Sequence, residues 1–273
     1  MPSGLRSELM LATLTARAGV LFLACALVLS VLAVGCTGSA TPAATPVPTA
    51  TPIPDPVALL GETSANLRNL RSAEFAVQHE AGAIFLPVFS AKLTEARGVW
   101  DAEQGAELTV DAYLVPDAQT EAESGIYFGL QSVITAGAYY GTDPFSGAWL
   151  KQPQSSVPIP VAELNQLIAD LVGMIDDPTL DGMEEVDGIP AHKISGDAPA
   201  SVMDWLPLTA EEGQTVRIVV WTDTEDRQLR KLRVAGPVGM FDQADTVREI
   251  VLKSINEPVS IEPPDEFTDL TGG

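Results

Sequence analysis

Apolar residues recur along this chain in two spacings that predict different elements. The helical spacing is clearest between Pro160 and Pro178, where apolar positions fall at i, i+3, i+4, i+7, i+8 and i+11. These positions are Leu164, Leu167, Ile168, Leu171, Val172 and Ile175. A second helix is predicted over about residues 56–71, because Asp55 and Pro56 are placed as cap and first-turn residues.

Alternating apolar and polar positions predict strands in most of the remaining chain. Two strands are joined by a polar turn at Asp101–Gly105. The segment "MEEVDGIPAHKISGD" reads as a hairpin that turns at "VDG", and "TVRIVVWTDTEDRQLRKLRVAG" as a hairpin with the acidic tip Asp223–Asp226. The segments "DTVREIVLKSIN" and "PVSIEPPDEF" are predicted to close the sheet.

This order of elements predicts an α+β fold. The pattern gives about eight to eleven strands in hairpins, with helices between a few of them. It lacks the regular alternation of strand and helix that builds a parallel sheet, so a Rossmann-like fold is disfavoured. We therefore predict an antiparallel sheet with helices on one face.

The first 35 residues have the pattern of a secretory signal peptide. Arg6 and Arg17 precede an uncharged apolar run of 18 residues at positions 18–35. The run also reaches the lower length limit of a membrane-spanning helix, so an uncleaved helical anchor is the alternative. Both interpretations place the following domain outside the cytoplasm.

The segment Ala33–Cys36 resembles a bacterial lipobox, with Ala33 where that motif prefers leucine. The resemblance implies that the Cys36 thiol takes a diacylglyceryl group and becomes the new N-terminus. Two or three acyl chains hold a protein firmly on a membrane, whereas one chain is marginal. Residues 36–56 then form a Thr/Pro-rich linker without charge before Asp55, and such a tract favours extended conformations.

Residues 57–273 are predicted to form one domain with its own core. The full chain carries a net charge of −22. Removal of the signal peptide leaves 13 basic and 36 acidic residues, a net charge of −23. This charge excludes nucleic acid as a partner and opposes docking on an anionic bilayer. Cys25 lies in the predicted signal peptide, so the mature domain has no disulfide.

Candidate polar chemistry is sparse in this domain. His79 and His192 have no neighbouring residues at metal-ligand spacing, and both are predicted to be strand residues. A calcium loop beginning at Asp177 fails because its twelfth position is Gly188 instead of glutamate. No nucleophile elbow, zinc-binding helix or phosphate-binding loop motif occurs. We predict no catalytic residue, no metal site and no cofactor.

Binding an acyl chain is a function that needs no polar chemistry. Burial of a methylene group contributes about 0.8 kcal/mol, so a long chain leaves a membrane only if another apolar surface replaces the bilayer. A cavity between a curved sheet and an apolar helix face provides such a surface. Its predicted lining is Leu164, Leu167, Ile168, Leu171, Val172 and Ile175 together with Val110 and Trp149. The helical stripe either packs on the sheet or walls this cavity.

Three consecutive segments give the domain a family resemblance. They lie at Gly182–Gly196, Val220–Arg233 and Asn256–Pro263, and their order resembles that of the LppX/LprG/LprF lipoprotein family over about residues 57–267. The resemblance implies a LolA/LolB-like half-barrel with helices on its concave face. It also implies an apolar cavity that carries lipids or glycolipids across the cell envelope, and it supplies no catalytic residue.

The leading hypothesis is a membrane-anchored, extracytoplasmic lipoprotein that binds and carries lipid or glycolipid acyl chains. The alternative is a non-catalytic module for envelope assembly, lipoprotein chaperoning or stress sensing that has no lipid ligand. A hydrolase with a dispersed Ser/His/Asp triad is the third hypothesis. The sequence identifies neither the lipid nor a protein partner.

The role of Cys36 is directly testable. We expect Cys36→Ser to abolish incorporation of radiolabelled fatty acid and to release the protein from the membrane fraction, because the acyl chains provide the anchor. Cys25→Ser serves as the matched control and retains both the label and the membrane association. Retention of Cys36→Ser in the membrane fraction would instead support the uncleaved helical anchor.

Overall fold

The computed structural model describes residues 53–135, 137–156, 160–206, 208 and 210–271; the predicted signal peptide and Cys36 lie outside them. Helix α1 spans Pro56–Arg68 and helix α2 spans Leu164–Gly173. The strands are β1 Ser72–Ala81, β2 Ile84–Leu86, β3 Ala91–Asp101, β4 Gly105–Leu114, β5 Ile126–Thr135, β6 Ala138–Thr142, β7 Trp149–Pro153, β8 Asp176–Val186, β9 Ile189–Pro199, β10 Thr215–Asp223, β11 Leu229–Ala235, β12 Val247–Lys253 and β13 Thr268–Asp269. Neither helix in this described part is long and apolar enough to cross a membrane.

All of these strands belong to one sheet. Its order is β13-β7-β6-β5-β4-β3-β1-β12-β11-β10-β9-β8, and β2 pairs with β3 at the side. The pairs are antiparallel except for the short parallel pair of β13 with β7. The sheet is curved and open, not closed into a barrel. The predicted α+β fold with an antiparallel sheet is confirmed.

Helix α1 begins as its sequence predicts. The Asp55 side chain accepts a hydrogen bond from the Val57 backbone N–H at 3.0 Å, and Pro56 occupies the first turn. The helix packs on β8, β10 and β11 and contacts α2. It ends at Arg68, three residues earlier than predicted, because the Asn69 side chain donates to the Ala65 carbonyl at 2.8 Å and its backbone N–H bonds instead to the Asn66 carbonyl at 3.0 Å.

Helix α2 is tied to both α1 and the sheet. The Ser64 hydroxyl of α1 donates to the Ala169 carbonyl of α2 at 2.8 Å, and the Trp100 indole N–H on β3 donates to the Val161 carbonyl at 2.8 Å. Val161 belongs to a 3-10 turn that leads into α2. These bonds satisfy buried polar groups and fix where α2 begins. The helix ends at Gly173, so Ile175 of the predicted stripe lies beyond it.

The main hydrophobic core lies between the two helices and the sheet. Leu67 of α1 and Leu171 and Val172 of α2 are fully buried there against β9, β10 and β11. The sheet contributes Ile194, Ile218, Val220, Leu232 and Val234, which are also fully buried. Burying such side chains is the dominant favourable contribution to folding.

Two local predictions concern the two ends of β8. The hairpin between β8 and β9 turns at Asp187 and Gly188, whose φ values are 51° and 81°. Positive φ at both positions is the requirement of a tight hairpin turn, which confirms the "VDG" prediction. The segment that begins at Asp177 is part of β8 and not a loop, so it has no calcium-loop geometry.

The prediction that "PVSIEPPDEF" forms a strand is wrong. Residues 257–267 contain no strand, because Pro258, Pro263 and Pro264 lack the N–H group that a ladder requires. The Gln104 side chain replaces the missing partner strand: it donates to the Val259 carbonyl at 3.0 Å and accepts from the Ile261 N–H at 3.2 Å.

The fully buried core makes a stability prediction. We expect Leu232→Ala to lower the free energy of unfolding by about 2–5 kcal/mol, because it removes buried methylene groups and leaves a cavity. The surface control Val57→Ala, at a position that is 62% exposed, changes the unfolding free energy by less than about 0.5 kcal/mol. Urea titration followed by circular dichroism measures both. Equal effects of the two substitutions would contradict this description of the core.

Candidate functional site

A row of apolar side chains crosses nine neighbouring strands on the sheet face that carries the helices. We call this face the inner face and these residues the inner row. Directly paired residues on neighbouring strands point to the same face, so the register defines the row. From β8 to β5 its members are Leu180, Ile194, Val220, Leu232, Ile250, Val77, Ala96, Val110 and Leu130.

The helices cover only part of the inner row. Ile194, Val220 and Leu232 are fully buried where α1 packs on the sheet. From β1 to β5 the row continues with Val77, Ala96, Val110 and Leu130, which are only half-buried. The inner face therefore changes from a closed core on one side to a partly accessible apolar surface on the other.

The rows beside the inner row are apolar as well. Along β4, the inner-face positions hold only apolar side chains, while the alternate positions carry Glu107, Thr109 and Asp111. The inner-face residues of β4 are Ala106, Leu108, Val110, Ala112 and Leu114. Phe75 on β1 and Phe128 on β5 are half-buried on the same face. This continuous surface is the candidate site for an apolar ligand.

The predicted α2 residues occupy two kinds of environment. Leu171, Val172 and Ile175 are buried in the main core. Leu164 and Ile168 are half-buried and pack against that core, and Leu167 is half-buried. The stripe therefore packs on the sheet along its most buried side. A role for these residues in lining a cavity stays a prediction.

The structure separates the two sheet residues that were predicted to line the cavity. Val110 lies in the inner row. Trp149 lies on the opposite face, where it packs with Val133, Tyr140 and Ile261. This corrects the prediction for Trp149: strand pairing alternates the two faces, and β7 presents its tryptophan away from α2.

A second feature is a cleft of about 230 Å³ at one edge of the sheet. Because the strands are antiparallel, the loops 82–90, 115–125 and 236–246 meet at this edge, which we call the long-loop edge. The cleft is lined by His79, Glu80, Ala81, Gly82, Ala83, Lys92, Thr94, Ala118, Glu121, Ala122, Glu123, Phe241, Gln243 and Thr246.

Histidine 79 is held in one orientation inside this cleft. Its Nδ1 atom lies 3.0 Å from the Thr94 carbonyl oxygen, which can only accept. Burial lowers the pKa of His79, and the nearby Arg248 charge acts in the same direction, while the Thr94 carbonyl opposes both. The imidazole is therefore neutral near pH 7, with Nδ1 protonated and Nε2 as an acceptor.

A buried ion pair fixes the loop that forms one wall of the cleft. Arg248 Nη2 on β12 lies 2.6 Å from Asp242 Oδ2, and both side chains are almost fully buried. The same carboxylate oxygen accepts hydrogen bonds from the N–H groups of Val238 and Gly239 at 2.8 and 3.2 Å. Asp242 thus attaches loop 236–246 to the sheet.

Neither histidine is placed as in a catalytic triad. His79 makes its hydrogen bond to the Thr94 carbonyl oxygen. Burial, together with the Arg227 charge, lowers the pKa of His192. Within the described ranges, no serine hydroxyl forms a hydrogen bond with either ring. The same residues contain no group of three His, Cys, Asp or Glu side chains that could hold a metal ion.

Of the residues in the inner row, the sequence analysis named only Val110, as a candidate for lining a cavity, and it missed the cleft. The alternation of apolar and polar residues along β4 was a signal in the sequence for the other inner-face residues of that strand. The cleft had no comparable signal, because its lining comes from segments near residues 80, 120 and 243 that only the folded sheet brings together.

A family model and several solved structures resemble this chain. The model, described as LppX_LprAFG lipoprotein, matches residues 55–261. The structure of LprF from Mycobacterium bovis is 18% identical, has a TM-score of 0.60 and covers 78% of this chain and 98% of its own. The structure of lipoprotein LppX from Mycobacterium tuberculosis is 17% identical, has a TM-score of 0.49 and covers 75% and 98%. No curated protein matches the chain.

The Arg248–Asp242 pair makes a prediction about the cleft wall. We expect Arg248→Met to lower the free energy of unfolding by about 3–5 kcal/mol, because it leaves a buried carboxylate without its cation. The double variant Arg248→Met/Asp242→Asn is expected to recover part of that loss, because the neutral amide oxygen still accepts from the loop N–H groups. Urea titration of the two variants and of Asp242→Asn completes the cycle. Strictly additive losses would show that the pair is not coupled.

Proposed function

We propose that this chain, which belongs to the LppX_LprAFG lipoprotein family, is a membrane-tethered extracytoplasmic lipoprotein that binds lipid acyl chains and carries the lipid across the cell envelope. The observation that carries this proposal is the inner row, which continues as a half-buried apolar surface beyond the helices. The protein acts by binding and has no catalytic step.

The inner face supplies what an acyl chain requires outside a bilayer. Each methylene group that moves from water to an apolar surface contributes about 0.8 kcal/mol. Val77, Ala96, Val110 and Leu130 run across four adjacent strands, so a chain lying along them replaces water with hydrocarbon contacts. We place the ligand on the β1–β5 side, because the main contacts of α1 with the sheet are with β8, β10 and β11.

The long-loop edge is the proposed point of lipid uptake. Exposed apolar side chains at this edge include Phe89 and Met240 in its loops and Ile126 at the start of β5. Such side chains can insert into the interfacial region of a bilayer, and this insertion needs no attraction between basic residues and anionic lipids. The strong negative charge of the domain opposes electrostatic docking, so apolar contacts and the tether hold the domain at the membrane.

The tether sets the range over which the domain works. In this proposal Cys36 carries the acyl anchor and residues 37–56 form the spacer. An extended spacer spans ~3 Å per residue, or on the order of 60 Å in total. That reach lets an anchored domain contact both its own membrane and an acceptor at some distance.

A second candidate function has one observation in its favour. Leu171 and Val172 are both 1% exposed, so the space directly beneath α2 is filled by protein side chains. A filled core suits a ligand-free module for envelope assembly, chaperoning or stress sensing. The two functions differ in whether the half-buried side of the inner face takes up lipid.

Lipid transfer between vesicles tests the proposed function. We expect the full chain, reconstituted in donor vesicles, to accelerate movement of a pyrene-labelled phospholipid to acceptor vesicles. Val110→Asp should reduce this acceleration at least about tenfold, because it places a charge where the acyl chain lies. Excimer fluorescence measures the transfer rate.

Thr109→Asp is the matched control, since residue 109 neighbours residue 110 on β4 and points to the opposite face. It should transfer lipid at the wild-type rate. Val110→Trp adds a variant that fills the surface without a charge, and it should also slow transfer. Equal rates for wild type and both position-110 variants, at comparable thermal stability, would refute lipid carriage on the inner face.

A further inference from the structure

The first half of β5 is an open edge of the sheet. Strand β6 pairs only with residues 132–135 of β5, so residues 126–131 have a neighbouring strand on the β4 side alone. No other described strand pairs with these residues, which we call the open edge. Ile126 and Tyr127 are 69% and 57% exposed, so the open edge is accessible from solvent.

The open edge presents backbone groups that are free to pair. The Gln131 N–H donates to the Thr142 hydroxyl at 2.9 Å, so the backbone of Gln131 points away from β4. Because alternate residues of a strand point the same way, the N–H and C=O groups of Tyr127 and Gly129 also point outward. No described residue gives these groups a backbone partner on that side. Such a row is a template for a further strand.

The open edge lacks the features that protect sheet edges from pairing. Natural sheets use charged side chains, proline and bulges for this purpose. Strand β8, at one end of the sheet, has all three: acidic side chains along its length, Pro178 and two irregularities in its register. Residues 124–142 carry no charge and no proline, and the pairing of β5 with β4 is regular. The β8 edge is therefore protected, whereas the open edge is not.

The chemistry of the open edge selects a β-strand as its occupant. Hydrocarbon offers no hydrogen bonds, so an acyl chain or a bilayer leaves the outward backbone groups of Tyr127 and Gly129 unpaired. A basic strand gains no ion pair, because the open edge has no acidic side chain. An uncharged strand with apolar side chains on one face is the matching partner, and β5 itself has this composition.

Two copies of the open edge are complementary to each other. In an antiparallel pair with its two-fold axis at Phe128, Tyr127 of one copy lies opposite Gly129 of the other, and their outward backbone groups bond to each other. Gly129 has no side chain and leaves room for the tyrosine ring of the other copy. On the inner face the two Phe128 rings meet, and Ile126 lies opposite Leu130. This pairing brings no like charges together.

We propose that a second copy of this chain pairs antiparallel with β5 along residues 126–131, so that the two sheets become one. Leu130 is the last member of the inner row, so this pairing makes the inner faces of the two copies continuous. The inference rests on the proposed function in one respect: the joined inner faces give an acyl chain a longer apolar surface than one copy provides.

The pairing is expected to be weak in solution and favoured on a membrane. An edge of six residues is smaller than a standard protein interface. The net charge of the domain opposes association, but repulsion between distant charges is screened beyond about 8 Å at physiological salt. The proposed tether confines the copies to one surface and raises their effective concentration.

Cysteine cross-linking in vesicles that contain the full chain tests this inference. We expect Phe128→Cys, in a Cys25→Ser background, to give a disulfide-linked dimer in at least about ten times the yield of Met183→Cys, since directly opposed residues at a two-fold axis lie within disulfide range. Met183 is the matched control because it is exposed on the protected β8 edge. The parent chain without a new cysteine reports any link through Cys36. Non-reducing electrophoresis and mass spectrometry identify the product.

A second substitution tests the strand pairing itself. Gly129→Lys, added to Phe128→Cys, places a charge on the open edge and fills the space for the tyrosine ring, so it should abolish the dimer. Met183→Lys, added in the same way, should leave the yield unchanged. Circular dichroism checks that both variants unfold at the parent temperature.

The outcomes separate this inference from the proposed function. A yield for Phe128→Cys no higher than for Met183→Cys, a dimer that survives Gly129→Lys, or a link to a different protein would overturn pairing between copies. Lipid transfer measured in the same vesicles reports the proposed function. Transfer without the dimer leaves that function standing, and a dimer without transfer refutes that function while the pairing stands.

Discussion

The structure depends on an imbalance between the apolar area of one sheet face and the size of the helices that pack on it. The inner row extends from β8 to β5, but α1 and α2 contain only 13 and 10 residues. Two short helices bury Ile194, Val220 and Leu232 completely and leave Val77, Ala96 and Val110 half-buried. An apolar surface that the chain itself does not cover must be covered by something else or remain a source of aggregation.

The partial cover of the inner face by the two helices accounts for other features of the molecule. The buried side stabilises a domain that has no disulfide, since the residues after Cys36 include no cysteine. The accessible side lies next to the edge where the long loops gather and where exposed aromatic and methionine side chains occur. The opposite edge has tight polar hairpins, such as the turn at Asp187 and Gly188. The half-buried side of the inner face and the exposed apolar side chains of the long loops therefore lie next to each other, an arrangement that suits a lipid-handling domain.

The sequence predicted the fold well because its signals were local. Helical spacing located α2, Asp55 and Pro56 located the start of α1, and an Asp-Gly turn located the β8–β9 hairpin. The strand predicted for "PVSIEPPDEF" failed because its prolines prevent pairing, although its apolar residues still pack against the outer face.

The candidate sites were harder to predict because they depend on long-range register. Trp149 was assigned to the wrong face, since the face of a strand residue follows from pairing with a strand that sequence alone does not identify. The meeting of distant loops has no local signal in the sequence either. The sequence therefore could not show that Lys92, His79 and Thr246 line the same cleft. Knowing only that a position is apolar does not tell whether helices or a ligand cover it.

Mapping where a bound acyl chain lies tests the central claim most directly. The full chain is reconstituted in vesicles that contain a phospholipid with a diazirine group in its acyl chain, irradiated and analysed by peptide mass spectrometry. The account predicts labelling at inner-face positions of β1, β3, β4 and β5, at or beside Val77, Ala96, Val110 and Leu130. Labelling confined to the N-terminal linker or to the outer face around Trp149 would contradict it.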